Sequence, residues 1–331
     1  MKKAIFVMNQ DTFELVYPSF IREEINNLVN IAAEPMTQAE LRQDLSILQD
    51  VEIIITGWGA PAIDQALLDH APQLQLILYG AGSIKAIAKD EAWEKGIRFT
   101  TAVVANGQPV AEFTLSQILF CLKNGWQFVR EIESSRQFPP KPFAVQGAFK
   151  SKVGLISLST VGRRTLELLR PFDIEILTYD PFVTKEEAQQ LGVTLCSLEE
   201  LFRQADVVSL HTPLLPQTIG MIKKEHFQLM KQGASFINTA RGAIVREQEM
   251  IKVLEERTDI TAVLDVTDPE PPEADSLLYQ LKNVVITPHL AGSEGAECAR
   301  MGAYMLEELK RYLQGEPLKW EVTQQQFVNM A

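Results

Sequence analysis

Three short segments each close on one side chain with chemistry to offer: Asn238-Thr239-Ala240-Arg241-Gly242, Leu264-Asp265-Val266-Thr267-Asp268-Pro269-Glu270-Pro271-Pro272 and Val285-Ile286-Thr287-Pro288-His289-Leu290-Ala291-Gly292. Arg241 is a planar cation suited to gripping a carboxylate through paired hydrogen bonds. His289 is a base that ordinarily titrates near neutrality, and Glu270 is a carboxylate able to orient that base and favour its protonated form. Such a set meets the needs of hydride exchange at C2 of a 2-hydroxy acid. The base takes the hydroxyl proton, while the cation holds the acid's carboxylate and polarises the C2 oxygen. Singly, each residue has a plainer reading: Arg241 in a surface turn, Glu270 in a proline-rich loop, His289 capping a strand. Their joint occurrence outweighs those readings, because each follows an apolar run that reads as a strand, and open α/β sheets place ligand chemistry at strand ends.

A fourth segment, Val153-Gly154-Leu155-Ile156-Ser157-Leu158-Ser159-Thr160-Val161-Gly162-Arg163, reads as strand, small-residue turn and helix. That is the context of a dinucleotide-binding G-x-G-x-x-G turn. The first two glycines are replaced by Ser157 and Ser159, and only Gly162 remains. Ser hydroxyls can still donate to a phosphate, and the N–H groups of Thr160 and Val161 open a helix that favours anions. Ser157 tolerates positive φ less well than glycine, and Ser159 carries a Cβ where backbone should approach a cofactor, so a looser or displaced turn is expected. Asp180, in Tyr179-Asp180-Pro181 after the next strand, suits the hydroxyls of an adenosine ribose and disfavours a 2′-phosphate, pointing to NAD over NADP. Alternatively Asp180 begins a turn before Pro181, and both readings can hold. His70 and His226 lie in apparent helices without companion motifs, whereas His211 stands in Leu210-His211-Thr212-Pro213-Leu214 at a strand end.

The elements that must position these residues are short β-branched runs alternating with amphipathic helices, the pattern of a doubly wound α/β protein with parallel sheets. A first series places strands near 3–8, 51–55, 75–79 and 97–100. A second starts at Val153 and continues near 175–179, 206–210, 234–238, 260–264 and 284–287. Thr37 and Glu40 form a capping box. Arg136-Gln137-Phe138-Pro139-Pro140-Lys141-Pro142 reads as a surface loop, and the polar stretch from Gly315 to Ala331 as peripheral and partly disordered. At 331 residues the chain suggests two domains.

Composition excludes several classes. A formal charge of −12 without a basic cluster argues against nucleic acid and anionic membranes as partners. Cys121, Cys196 and Cys298 are odd in number and widely spaced, which implies neither disulfides nor a metal site and fits a reducing compartment. Residues Ala4 to Met8 are too short an apolar run for a signal peptide, and no run reaches membrane-spanning length, so a cytoplasmic protein is expected.

With those motifs in hand, the chain resembles the D-isomer-specific 2-hydroxyacid dehydrogenases over nearly its whole length. The resemblance is carried by Asn238 to Gly242, Asp265 to Pro271, Thr287-Pro288-His289, Leu210 to Leu214 and Pro109-Val110-Ala111-Glu112-Phe113-Thr114. It implies an NAD-dependent enzyme in which Arg241, Glu270 and His289 are catalytic, Asp265 and the Ala240 backbone hold the nicotinamide carboxamide, and Asp180 binds ribose. Thr239 belongs to the same cofactor site, with His211, Thr212, Pro213 and Asn106 in its cleft. The loop Tyr79-Gly80-Ala81-Gly82-Ser83 would present N–H groups to the substrate carboxylate, and Trp58 would cover the substrate or serve as a core aromatic. The resemblance further implies a Rossmann-type NAD domain over 102–293 and a discontinuous, flavodoxin-like substrate domain over 1–101 and 294–331. It implies a homodimer through a long helix at 109–135, and no metal. Departures are the two serines of the turn and Thr267-Asp268, where an aromatic and Glu are more usual. The serine turn favours a second reading, a dinucleotide-sensing regulatory protein on the same scaffold with little turnover, although no interaction tail or basic surface accompanies it. Glu270 argues against the related formate enzymes, which carry Gln there.

Overall fold

A computed structural model describes residues 1–140 and 145–328. Lys141 and Pro142 of the proline-rich loop therefore lie outside the described residues, as do the last three of the C-terminal stretch. The strands are β1 (Lys3–Val7), β2 (Asn30–Ile31), β3 (Ile53–Thr56), β4 (Leu76–Tyr79), β5 (Arg98–Thr101), β6 (Ser151–Ile156), β7 (Ile174–Tyr179), β8 (Thr194–Leu195), β9 (Val207–Leu210), β10 (Ser235–Asn238), β11 (Thr261–Leu264), β12 (Val284–Ile286) and β13 (Glu321–Val322). The chain falls into two compact units, Met1–Gly107 with Ser293–Ala331, and Gln108–Gly292. The first boundary lies six residues beyond the position expected from sequence, inside the helix Val103–Cys121.

The first unit holds a sheet ordered β13-β5-β4-β3-β1-β2 among the described residues. Its strands run parallel except for β13, which pairs antiparallel with β5. Successive residues of β3 and β4 enter opposite cores: Ile53, Ile55, Leu76 and Leu78 join one apolar cluster, while Ile54, Ile77 and Tyr79 join the other. Helices on both faces explain why these strands read as continuous apolar runs. The helix Cys298–Gln314 covers the first cluster with Cys298, Met301, Met305 and Leu309, spaced by three and four residues. It approaches closely enough that a Cβ on Gly302 would overlap the Val16 carbonyl.

The second unit holds a parallel sheet ordered β12-β11-β10-β9-β6-β7-β8. Chain order runs outward in both directions from β6, so the β6/β9 neighbours form the topological switch point where such sheets bind ligands. Every chemical segment singled out from 153 onward emerges from a carboxyl end of this sheet: the serine turn after β6, Asp180 after β7, His211 after β9, Arg241 after β10, Glu270 after β11 and His289 after β12.

Two expectations are corrected. The long helix at 109–135 is two helices, Val103–Cys121 and Gly125–Ser135, separated where Asn124 takes the left-handed conformation at φ 54°. The C-terminal stretch supplies an edge strand and the helix Gln324–Val328. Buried Glu308 explains the strand's position, because its carboxylate accepts from the N–H groups of Lys319 and Trp320 at 2.9 and 3.0 Å.

Candidate active site

Arg241, Glu270 and His289 all belong to the second unit, on three adjacent strand ends. Glu270 Oε1 lies 2.6 Å from His289 Nδ1. An ionised carboxylate only accepts, so Nδ1 carries the proton and Nε2 is the basic nitrogen. Both side chains are nearly half accessible, at 46% for His289 and 42% for Glu270. An exposed pair contributes about 0–1 kcal/mol to stability, so what this pair fixes is tautomer and ring direction rather than the fold. The Glu270 charge is felt at Arg241, where it partly offsets the loss of solvation that lowers the guanidinium pKa. Arg241 reaches solvent but is flanked by protein, and its Nη1 folds back on the Ala240 carbonyl at 2.6 Å. The carbonyl that the resemblance assigns to a carboxamide is therefore engaged by Arg241 in this structure.

Asp265 is 2% exposed, and its carboxylate organises the histidine segment. Its Oδ1 accepts from Thr287 Oγ1 at 2.5 Å and Leu290 N–H at 2.9 Å, and its Oδ2 from Ala291 N–H at 2.9 Å. The Asp265 carbonyl also receives the His289 N–H at 2.9 Å. These bonds hold His289 in the left-handed region at φ 54°, a conformation that costs a non-glycine residue about 1–3 kcal/mol and is kept only by surrounding contacts.

The serine turn is tight, contrary to the looser turn expected. Ser157 adopts φ 75°, the conformation of the glycine it replaces, and its hydroxyl donates to Asp180 Oδ2 at 3.2 Å. The same oxygen accepts from Leu158 N–H at 2.8 Å, and Oδ1 accepts from Phe182 N–H at 2.8 Å. Asp180 thus clamps the turn and also begins one, as the plainer reading held. Ser159, at φ −63°, needs no glycine conformation; it caps the helix Thr160–Leu169 and donates to the His211 carbonyl at 2.7 Å. A Cβ on Gly162 would overlap the Ser157 carbonyl, which is why this glycine is the one retained. Buried His211 shares a hydrogen bond between Nε2 and Ser209 Oγ at 3.0 Å, while its Nδ1 has no partner. Burial pushes its pKa down to about 3, so the ring is neutral. A closed turn over Gly162, a helix N-terminus and an acid at the next strand end fit a dinucleotide.

The other residues singled out divide between binding surfaces and structural ties. Thr239 shares a hydrogen bond with buried Thr114 at 3.0 Å, and Pro213 accepts from Thr218 at 2.7 Å. Thr212 is buried within reach of the Ile156 carbonyl, whereas Thr160 is exposed and Val161 half-buried at the helix start. In the first unit, the Asn106 side-chain oxygen accepts from Ser293 N–H at 2.9 Å. Gly80 donates its N–H to the Thr56 carbonyl, so in the loop after β4 it is not a donor for substrate. Its lack of a side chain instead leaves room for the buried Tyr17 hydroxyl. The Ala81 and Gly82 carbonyls accept from Thr101, which points their peptide oxygens inward. Trp58 is half-buried against both cores of its unit, as a core aromatic would be. Glu247 is missed by sequence reasoning: an acid in a helix's first turn is common, and only burial distinguishes this one. No helix among the described residues is long and apolar enough to cross a membrane, and no cluster of side chains there could hold a metal.

Residues 115–291 match the family described as D-isomer specific 2-hydroxyacid dehydrogenase, NAD binding domain. D-3-phosphoglycerate dehydrogenase of Methanocaldococcus jannaschii is 30% identical over 297 residues, covering 89% of this chain and 55% of that protein. The chain spans about half the length of the curated relatives it matches. Among solved structures, the NAD-complexed D-isomer specific 2-hydroxyacid dehydrogenase of Lactobacillus delbrueckii ssp. bulgaricus superposes with a TM-score of 0.79 at 22% identity, covering 98% of this chain and 100% of that one. A phosphoglycerate oxidoreductase from Rhizobium etli gives 0.82 at 21% identity, with 98% and 99% covered. At those identities the likeness speaks for the fold.

Proposed function

Because the chain belongs to the D-isomer specific 2-hydroxyacid dehydrogenase family, with residues 115–291 as its NAD binding domain, we propose that it exchanges a hydride between NAD and C2 of a small D-2-hydroxy or 2-oxo acid. The observation that carries this reading is the 2.6 Å contact between His289 Nδ1 and Glu270, within the electrostatic reach of Arg241. Bound NAD supplies or accepts the hydride. His289 Nε2 takes the hydroxyl proton in oxidation and returns it in reduction, while Glu270 keeps the ring in the required tautomer and direction. Arg241 leaves the Ala240 carbonyl to hold the substrate carboxylate.

The cofactor is assigned to the first helical turn at Thr160 and Val161, the serine turn, Asp180 and the 211–213 segment. Asp265 Oδ2, which accepts the Ala291 N–H, keeps lone-pair capacity for a carboxamide N–H. Asp180 favours NAD over NADP by repelling a 2′-phosphate. The proposal includes a cytoplasmic homodimer. Phe120 at 39% and Val129 at 40% exposure, on the helices Val103–Cys121 and Gly125–Ser135, offer apolar surface for a second copy. Unpaired cysteines accord with a reducing compartment.

The test mixes full-length protein with NADH and a panel of 2-oxo acids, including the oxidation product of D-3-phosphoglycerate, and follows the nicotinamide absorbance. Oxidation of NADH with at least one acid, and far less with NADPH, is expected. Failure with the whole panel, despite measurable NADH binding, would overturn the proposal. Light scattering in solution tests the dimer separately.

A further inference from the structure

Glu247 lies in the first turn of the helix Glu247–Glu256, six residues after Arg241, and is 9% exposed. Buried carboxylates cost several kcal/mol unless their hydrogen-bonding capacity is used. Here the partner is neither a cation nor the helix's own backbone: Glu247 Oε2 accepts the backbone N–H of Asp268 at 3.0 Å. Burial and the neighbouring Asp268 charge hold the Glu247 carboxyl above its ordinary pKa.

The peptide that donates this bond is gripped from a second direction. A Cβ on Gly242 would overlap the Thr267 carbonyl group, so the turn carrying Arg241 lies directly against the Thr267-Asp268 peptide. A third tie, Thr267 Oγ1 to the Pro269 carbonyl at 2.8 Å, closes the loop on itself. Two residues beyond Asp268 is Glu270, whose other end of reach is His289. The Arg241 turn and the Glu270 loop are therefore registered through one peptide unit, and Glu247 is the side chain that fixes it.

We infer that Glu247 is a positioning residue for the catalytic carboxylate: by accepting the Asp268 N–H it sets the Glu270 loop at the height where Oε1 meets His289 Nδ1. This rests on the dehydrogenase reading for its catalytic consequence, but its structural consequence is independent of it. Glu247 needs only an acceptor oxygen, not a charge, so Glu247→Gln preserves the function and Glu247→Ala removes it.

The experiment compares full-length wild type, Glu247→Gln and Glu247→Ala in two ways. The first is the low-field proton resonance of His289 Nδ1–H, the signature of its short bond to Glu270, measured without cofactor. The second is kinetics with NADH and the best 2-oxo acid. Glu247→Ala should lose or broaden the resonance and lower kcat roughly ten- to a hundredfold, with NADH affinity within about twofold of wild type. Glu247→Gln should keep the resonance and most of kcat. Retention of the resonance in a folded Glu247→Ala protein overturns the inference. If that variant does not fold, Glu247→Gln decides: loss of the resonance there overturns it, and retention supports it. Should wild type show the resonance but no turnover, the positioning stands or falls on the resonance alone, and the dehydrogenase reading fails separately.

Discussion

His289 is held at φ 54° by backbone bonds to Asp265 and Thr287, and its ring is aimed by Glu270. Its contribution is therefore direction as well as basicity. Replacing it with Asn keeps a residue that tolerates the left-handed region but removes the base. Turnover should fall about 10²–10⁴-fold, while NADH binding, followed by fluorescence, stays near wild type. His211 makes the opposite kind of prediction, about stability rather than rate. Its folded-state pKa, near 3, lies below the unfolded value of about 6.5. Below that unfolded value the unfolded chain takes up a proton that the folded ring refuses, so stability falls as pH drops from about 6.5 towards 3. At pH 5 the loss is about 2 kcal/mol relative to neutral pH. Denaturant titrations of a His211→Gln variant should show a pH 7 to pH 5 decline smaller by about that amount; an equal decline would mean the buried ring is protonated.

The turn between β6 and its helix shows how an element can retain its shape while changing its residues. Ser157 and Ser159 replace two glycines of the motif, and the two positions differ physically. Ser157 stands at φ 75°, a strained conformation for a residue with a Cβ, whereas Ser159 is extended and caps the helix. Ser157→Gly relieves strain of about 1–3 kcal/mol but loses the hydroxyl bond to Asp180 and adds chain freedom, each about 1 kcal/mol, so the melting temperature should stay within roughly 2–4 °C of wild type. Ser159→Gly loses the hydroxyl bond to the His211 carbonyl and adds chain freedom, each about 1 kcal/mol, with no strain to relieve, so it should fall clearly further. Calorimetry on the two single variants checks the difference. Equal losses would show that the turn is judged by its glycine count and not by its backbone angles.

At the scale of the whole molecule, the C-terminal stretch is sewn onto the first unit by a few polar ties. Buried Glu308 receives two N–H groups, and Arg98 meets Glu321 through two nitrogens at 2.7 and 2.8 Å across the β5–β13 pair. Phe327 then packs 5.5 Å from Trp93. Glu308→Ala leaves two peptide N–H groups without their carboxylate and should destabilise the first unit by about 3 kcal/mol. Limited proteolysis should then cut first within residues 316–328, while amide exchange in the β9 and β10 core of the second unit is unchanged. Cleavage elsewhere first would show that the tail is held by its apolar contacts.

Periodicity alone was enough to locate the long strands of both sheets, since an apolar β-branched run of four to six residues has few other fates once helices alternate with it. The residue types at their ends were legible as a set: Arg241, Glu270 and His289 each have a plain reading alone, and stand out because all three follow strands of one open sheet. Hidden from the one-dimensional text were the two-residue strands β2 and β8, too short for any pattern, and β13, whose place is set by Glu308 and Arg98 far away in sequence. Also hidden was which polar groups turn inward. Gly80 and Gly82 look alike as letters, yet Gly80 spends its N–H on Thr56; Asp265 and Asp180 look like ligand groups, and nothing in the letters shows that both also hold backbone. Side-chain identity and local period are written residue by residue, but a hydrogen-bond partner is chosen by what the folded chain brings within 3 Å, and only the tertiary structure determines that.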